Sequence, residues 1–260
     1  MLSHVEGFYE CPDLFELPVD GNPRHTRWVM FGAKGEYALG SFDGVRFHPE
    51  GGRLPGDYGR NFYAAQTYSD IPAADGRRIL IAWMNGGQYP GMPFNQQMSV
   101  PCELRLRTTA DGVRLCRWPV RELERLRTRT HEWRDERLAP GTNLLAGVTA
   151  ELLDVEADID LGDAAEIALA AHGTTVAYSA PGRTLSCLDR AAPLAPVDGR
   201  LRLRLLVDRT SVEVFGNDGA VPMSFCCLPT PGACPLELRV SGGPARAVSL
   251  RVHELRSVWG

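Results

Sequence analysis

Short apolar segments closed by turn residues dominate the chain. Nearly every one is rich in β-branched or aromatic side chains and is ended by Gly, Pro, Asp or Asn, a pattern that predicts strands rather than helices. Eight strands are expected in the first half: Asp13–Val19, Trp28–Ala33, Tyr37–Phe42, Val45–His48, Phe62–Tyr68, Ile79–Met84, Cys102–Arg107 and Val113–Trp118. The Gly- and Pro-rich stretch Pro49–Gly59 divides them into two groups of four, the pattern of β-propeller blades.

The pattern changes after the eighth strand. Val120–Arg127 has apolar residues three apart and predicts a short helix, and the charged stretch Thr128–Gly141 predicts a linker between domains. Apolar and polar residues then alternate in Leu201–Val207, Ser211–Phe215, Leu236–Val240 and Val248–Leu255. Turn residues recur between such segments, which is typical of a β-sandwich. We therefore expect an all-β chain with one unit over residues 1–126 and a second over residues 127–260.

Composition narrows the function. The chain has 260 residues, 44% of them hydrophobic and 23% charged, which is typical of a globular protein and not of a disordered one. The net charge of −4 argues against nucleic acid or an anionic membrane as a partner. The seven cysteines include no CxxC pair and the six histidines are scattered, so we expect neither a disulfide framework nor a metal site.

Glu10 is the most informative acid. It lies between aromatic and apolar neighbours in GFYECPDLF, residues Gly7–Phe15, just before Pro12. A carboxyl group that such neighbours bury has a raised pKa and suits general-acid catalysis. The alternative is an ordinary polar residue at the start of a strand.

A second group of candidates follows on two strands. Alternation in NFYAAQT predicts Phe62, Ala64 and Gln66 on one strand face and Tyr63, Ala65 and Thr67 on the other. Gln66 and Tyr63 are candidates to face a polar ligand, although tyrosines in strands often simply pack. Trp83, in ILIAWMN, is either a platform for a sugar ring or a core side chain.

Five segments, taken in order, resemble one family. Tyr9–Asp13 (YECPD) is similar to the acid/base motif of glycoside hydrolase family 32, the fructan hydrolases and invertases. Four further segments resemble later motifs of that family: Asp57–Thr67 (DYGRNFYAAQT), Arg78–Asn85 (RILIAWMN), Gln97–Leu104 (QMSVPCEL) and Leu206–Gly219 (LVDRTSVEVFGNDG). The resemblance runs from about Gly7 to the C-terminus.

The resemblance implies a fold and a reaction. The family fold is a five-bladed β-propeller followed by a β-sandwich, and this chain would hold the last two blades and the sandwich. The reaction is hydrolysis of β-fructofuranosides such as levan, inulin or sucrose with retention, by two carboxylates about 5–5.5 Å apart. Glu10 would be the general acid/base, Trp83 would contact the sugar, and Gln66, Tyr63 and Cys11 would line the pocket. No cofactor is implied.

Two family motifs are missing. The nucleophile motif W-M-N-D-P-N-G and the R-D-P motif do not occur in the 260 residues, and Arg134-Asp135 is followed by Glu136. We therefore expect a truncated form that is inactive by itself. The alternatives are a non-catalytic fructan-binding or structural remnant, or a half-enzyme that a separate chain completes.

Two further expectations concern self-association and localisation. Two blades cannot close a propeller ring, so we expect their open face to be apolar and prone to self-association. The start, MLSHVEGFYECPD, lacks the pattern of a secretory signal, which predicts a cytoplasmic chain, although a full-length parent could be secreted.

Overall fold

Alternating burial along the first strand shows why this chain forms sheets. In β1, Asp13–Val19, the side chains of Phe15, Leu17 and Val19 are buried, whereas Glu16 and Pro18 between them are exposed. One strand face therefore packs into a core, whereas Glu16 and Pro18 on the other face are exposed to solvent. Its bounds are those predicted from the sequence. The computed structural model describes residues 7–228 and 236–259, so Cys234 lies outside the described residues.

The first nine strands form one curled sheet. After β1 these are β2 Asn22–Phe31, β3 Glu36–Phe42, β4 Phe47–Pro49, β5 Leu54–Pro55, β6 Tyr63–Thr67, β7 Ile79–Trp83, β8 Cys102–Thr109 and β9 Gly112–Pro119. Their order is β4-β3-β2-β1-β8-β7-β6, with β5 beside β3 and β9 beside β8. The two groups, β1–β5 and β6–β9, are joined by one parallel pairing, Val19 with Leu106. Within each group neighbouring strands are antiparallel.

The two faces of the first group are both apolar. Phe15, Phe31 and Leu39 belong to the larger core, which the second group shares. The next residues along the same strands face the other way, into a small cluster of Phe8, Leu14, Trp28, Met30, Ala38, Phe42 and Phe47. Leu14, Trp28 and Phe42 are only half-buried there. That this face mediates self-association stays a prediction.

The remaining strands form two facing sheets. They are β10 Arg127–Leu138, β11 Leu153–Asp160, β12 Glu166–Ala171, β13 Thr174–Ser179, β14 Thr184–Cys187, β15 Arg190–Pro193, β16 Arg200–Val207, β17 Ser211–Gly216, β18 Val221–Cys226, β19 Glu237–Ser241 and β20 Ala245–Leu255. One sheet has the order β10-β20-β11-β16-β17-β18 and the other β15-β14-β13-β12-β19. A large apolar core draws on both sheets, as in a β-sandwich.

The predicted linker over residues 128–141 is wrong. Most of it is strand β10, which pairs with β20 along almost its whole length. Because β10 is the edge strand of its sheet, most of its side chains are exposed and charged, and the apolar alternation that marks a strand is missing. The predicted helix is a 3-10 helix, Arg121–Leu126. The division of the chain at residues 126 and 127 stays a prediction. Among residues 7–228 and 236–259, no helix is long and apolar enough to cross a membrane.

A buried ionic cluster lies where the curled sheet meets the sandwich. Arg117 of β9 donates from Nη2 to Asp57 Oδ2 at 2.6 Å and to Ser224 Oγ of β18 at 2.9 Å. Glu213 of β17 accepts the Val100 N–H at 2.7 Å. The side chains of Arg117 and Asp57 are 3% and 2% exposed, so their charges are almost wholly removed from water. Burial raises the pKa of Asp57 and raises that of Glu213 to about 7.

Protonation of Glu213 should make the stability of the protein depend on pH. The pKa of Glu213 is higher in the folded chain than its ordinary value of 4.5, so the folded state holds this proton more tightly. The resulting stabilisation is complete below the ordinary pKa and is lost as pH rises through the folded pKa of about 7. Between about pH 5 and pH 8, we expect the free energy of unfolding of the wild type to fall by up to about 3 kcal/mol through this group. Glu213→Gln cannot ionise at this position and should lack that fall.

Urea denaturation across this pH range measures the effect. The control is Glu166→Gln, which removes an exposed carboxylate from β12 and should leave the wild-type slope unchanged. Equal pH slopes for the wild type and Glu213→Gln would contradict the assignment.

Candidate functional site

A backbone bend at Glu10 and Cys11, just before β1, positions the first residues of the site. Cys11 has a φ of 46°, a left-handed conformation that is uncommon outside glycine and concentrates at functional positions. The Ala33 N–H donates to the Glu10 carbonyl at 3.1 Å and anchors the bend before β1 begins. Phe8 is buried, but the chain leaves the core after it, and Glu10 is exposed. The burial expected for Glu10 from its apolar neighbours is therefore absent among the described residues.

Tyr63 contacts the Glu10 carboxylate, and Trp83 lies beside Tyr63. Tyr63 Oη donates a hydrogen bond to Glu10 Oε2, and this bond is the main cause of the raised pKa of Tyr63. Tyr63 pairs with Trp83 across β6 and β7, and their ring centroids lie 6.2 Å apart at an interplanar angle of 74°. The Trp83 indole N–H donates to Gln96 Oε1 at 2.5 Å. Glu10 therefore contacts a phenol that keeps its proton, and an indole lies edge-to-face with that phenol.

A β-bulge in β6 changes which side chains reach the site. The register against β7 shifts between Tyr63 and Gln66, and Ala64 has a φ of 47°. Because the bulge adds one residue, strict alternation fails and the predicted assignment of strand faces is wrong. Gln66 Nε2 reaches the Cys11 carbonyl at 3.4 Å, so Gln66 and Tyr63 both contact the Glu10–Cys11 bend.

Contacts between β1 and β6 hold the bend against the second group of strands. Asp13 Oδ2 accepts the Thr67 N–H at 3.0 Å and the Thr67 hydroxyl at 2.5 Å. Asp13 and Gln96 are the site residues that sequence reasoning missed. The signal for Asp13 was its place in the YECPD segment, whereas the partner of Trp83 is evident only from the structure.

The structure brings together all five predicted site residues, Glu10, Cys11, Tyr63, Gln66 and Trp83, through the contacts described above. An exposed carboxyl can exchange a proton with a sugar oxygen, and an indole can pack on a sugar ring. Amide and hydroxyl groups can bind sugar hydroxyls. The roles of the individual residues stay predictions.

A second group of titratable residues lies in the sandwich, where ligand atoms of Asp154, Glu156 and His253 fall within 4.8 Å of one another. Three arginines pair with its carboxylates: Arg204 and Arg127 with Asp154, and Arg127 and Arg251 with Glu156. Their positive charge opposes a cation at this position. We interpret the group as an ion-pair network that ties β10, β11, β16 and β20 together.

Comparison with known proteins identifies the family. The family 32 N-terminal domain of the glycosyl hydrolases matches residues 2–119, and the family 32 C-terminal domain matches residues 122–254. The chain belongs to glycosyl hydrolase family 32. The second match begins within the 3-10 helix that follows β9.

Similar sequences include proteins named levanase and exo-inulinase. Levanase of Bacillus subtilis (strain 168) is 38% identical over 296 residues, which cover 98% of this chain and 44% of the levanase. The extracellular exo-inulinase inuE of Aspergillus niger is 30% identical over 307 residues, 97% of this chain and 56% of the inulinase. The family 32 chain described here therefore spans about half the length of these relatives.

Solved structures of family 32 enzymes match the fold. The exo-inulinase of Aspergillus awamori superposes with a TM-score of 0.82 at 24% identity, over 96% of this chain and 57% of the inulinase. Fructan 1-exohydrolase IIa of Cichorium intybus gives a TM-score of 0.76 at 21% identity, over 95% and 62% of the two chains. The predicted fold class is confirmed: an all-β chain with propeller blades followed by a β-sandwich.

Proposed function

We propose that this chain is the acid/base-bearing part of a glycoside hydrolase that cleaves β-fructofuranosides such as levan, inulin or sucrose with retention. The observation that carries the proposal is the position of Glu10, exposed at a strained bend and in contact with Tyr63 beside Trp83. Relatives described as levanase and exo-inulinase support the substrate class.

Glu10 is assigned both proton transfers. In the first step its carboxyl group protonates the glycosidic oxygen as the alcohol leaves, and in the second its carboxylate takes a proton from the attacking water. Tyr63 keeps its phenolic proton and orients the Glu10 carboxyl group through its hydrogen bond. Trp83, Gln66 and Cys11 form the adjoining wall that the fructosyl unit contacts.

The retaining reaction also needs a carboxylate nucleophile on the opposite side of the anomeric carbon. The W-M-N-D-P-N-G segment that carries it in the family does not occur in this sequence. Asp13 is close to Glu10 in sequence, but Oδ2 of its carboxylate accepts both the amide N–H and the hydroxyl of Thr67. We infer that the 260-residue chain forms no fructosyl-enzyme intermediate by itself.

The purified chain should therefore release fructose from levan, inulin or sucrose no faster than a buffer blank, as measured by a reducing-sugar assay. Robust release that Glu10→Gln abolishes would contradict this inactivity and reveal a nucleophile elsewhere in the chain. Activity that appears only when a second chain with the W-M-N-D-P-N-G segment is added would favour the half-enzyme alternative. Retardation of the chain in a levan-containing gel without hydrolysis in either assay would favour the fructan-binding alternative.

A further inference from the structure

The backbone that follows Trp83 is held from the sandwich side. Asn61 is 3% exposed, and its amide nitrogen donates to the Asn85 carbonyl at 2.6 Å. Its amide oxygen accepts the Cys226 N–H, from strand β18 of the sandwich, at 2.8 Å. The Cys226 thiol lies 3.4 Å from the Met84 carbonyl. Both residues after Trp83 are therefore tied to one strand of the sandwich.

A second set of hydrogen bonds connects the sandwich to Gln96, the residue that accepts the indole N–H of Trp83. Thr210 of the sandwich is 4% exposed, and its hydroxyl donates to Gln97 Oε1 at 2.5 Å. Gln97 Nε2 donates back to the Thr210 carbonyl at 3.2 Å, so the two residues form a reciprocal pair. The Gln97 carbonyl accepts the Met84 N–H at 3.0 Å. Gln97 directly follows Gln96, whose side chain accepts the indole N–H of Trp83.

These ties fix Trp83 on both of its flanks. Separating Gln97 from Thr210 would break both hydrogen bonds of the pair and leave the buried Thr210 hydroxyl without its acceptor, so the pair resists such a movement. Movement of Gln97 would also move Gln96 and the backbone of Met84. Trp83 itself is only half-buried, so packing alone does not fix its ring.

We propose that Thr210 of the sandwich is a positioning residue for Trp83, acting through Gln97 and Gln96, with Asn61 tying the same segment to Cys226 of β18. The C-terminal unit thus supports the segment that carries Trp83, whereas Tyr63 and Trp83 themselves lie on strands of the curled sheet and Glu10 lies just before its first strand. The proposal rests on the proposed function only in the statement that Trp83 contacts the sugar.

The test replaces Thr210 and observes Trp83 directly. The chain has five tryptophans, so the protein labelled with 5-fluorotryptophan gives five fluorine resonances, and Trp83→Phe assigns one of them. In Thr210→Val, which keeps the side-chain shape but loses the hydroxyl, we expect the Trp83 resonance to shift or broaden by more than its linewidth. The other four resonances should stay in place.

Two matched variants decide whether the effect is specific. Thr210→Ser keeps the hydroxyl and should restore the wild-type Trp83 resonance. Thr142→Val removes the exposed hydroxyl that donates to the Ala139 carbonyl, and should leave the spectrum unchanged. A Trp83 resonance that stays in place in Thr210→Val, while thermal stability falls, would overturn the proposal. Should Thr210→Val fail to fold, Gln97→Leu breaks the same pair and is judged by the same criterion.

Adding a short levan-type oligosaccharide separates this proposal from the proposed function. A Trp83 resonance that responds to Thr210→Val but not to saturating oligosaccharide would support the positioning role and count against sugar contact by Trp83. A resonance that responds to oligosaccharide but not to Thr210→Val would overturn the positioning role alone.

Discussion

Replacing Arg117 by methionine is expected to lower the free energy of unfolding by about 3–5 kcal/mol. The substitution leaves Asp57 buried beside Glu213 without its counter-charge, and it removes the donor of the 2.6 Å bond to Asp57. The guanidinium also lies 4.2 Å over the Phe62 ring, and methionine keeps part of that packing. The lost free energy of unfolding should therefore come mainly from the unpaired charge of Asp57 and less from a cavity. Urea denaturation near neutral pH measures it.

A surface pair is the control for this prediction. Arg105 donates to Glu103 at 2.8 Å but its side chain is 65% exposed, so Arg105→Met should cost less than about 1 kcal/mol. The double variant Arg117→Met/Asp57→Asn should be more stable than Arg117→Met, because it no longer leaves a buried charge unpaired. A cost for Arg117→Met no larger than that of the surface control would contradict the buried cluster as described.

Glu10→Gln should abolish most of the activity in a context that supplies the missing nucleophile. Such a context is a chimera in which this chain replaces the matching 44% of the Bacillus subtilis levanase. Loss of a general acid/base typically lowers the rate by about 10²–10⁴-fold. Glutamine keeps an acceptor for the Tyr63 hydroxyl but cannot transfer a proton. The measurement is the initial rate of fructose release from levan at saturating concentration.

Glu16→Gln is the matched control for that chimera. Glu16 is an exposed carboxylate on β1 that accepts a hydrogen bond from Thr26 and has no place in the proposed site. The Glu16→Gln substitution should leave the rate within about twofold of wild type, since substitutions at exposed positions away from special features have small effects. A Glu10→Gln chimera that is as fast as the Glu16→Gln chimera would contradict the assignment of Glu10 to proton transfer.

The strand pattern was predictable where one face of a strand is buried. β1 was predicted with its observed bounds because Phe15, Leu17 and Val19 alternate with exposed residues. β10 was missed for the opposite reason: an edge strand gains its stability from the backbone ladder with β20, and that ladder leaves no apolar period in the sequence. The alternation of apolar and polar residues in a sequence indicates which side chains are buried, and an edge strand such as β10 buries few side chains.

The site residues were predictable from motifs, but their arrangement was not. Tyr63 and Gln66 reach the same bend because of a bulge at Ala64, and a bulge depends on the register with a partner strand. The cluster around Asp57 joins residues far apart in the chain: Asp57 and Ser224 are 167 positions apart. Nothing local to either residue predicts such a pair, so the coupling between the sandwich and the site emerged only from the structure.

Chemical rescue of a Glu10→Ala chimera tests the acid/base role of Glu10 most directly. With a β-fructofuranoside whose leaving group needs no protonation, the first step should still proceed, and the intermediate should accumulate because no base activates water. Azide needs no base, so adding it should restore turnover and give a fructosyl azide of retained β configuration. Turnover that azide does not change, or an azide product of inverted α configuration, would contradict the assignment of Glu10 as the general acid/base.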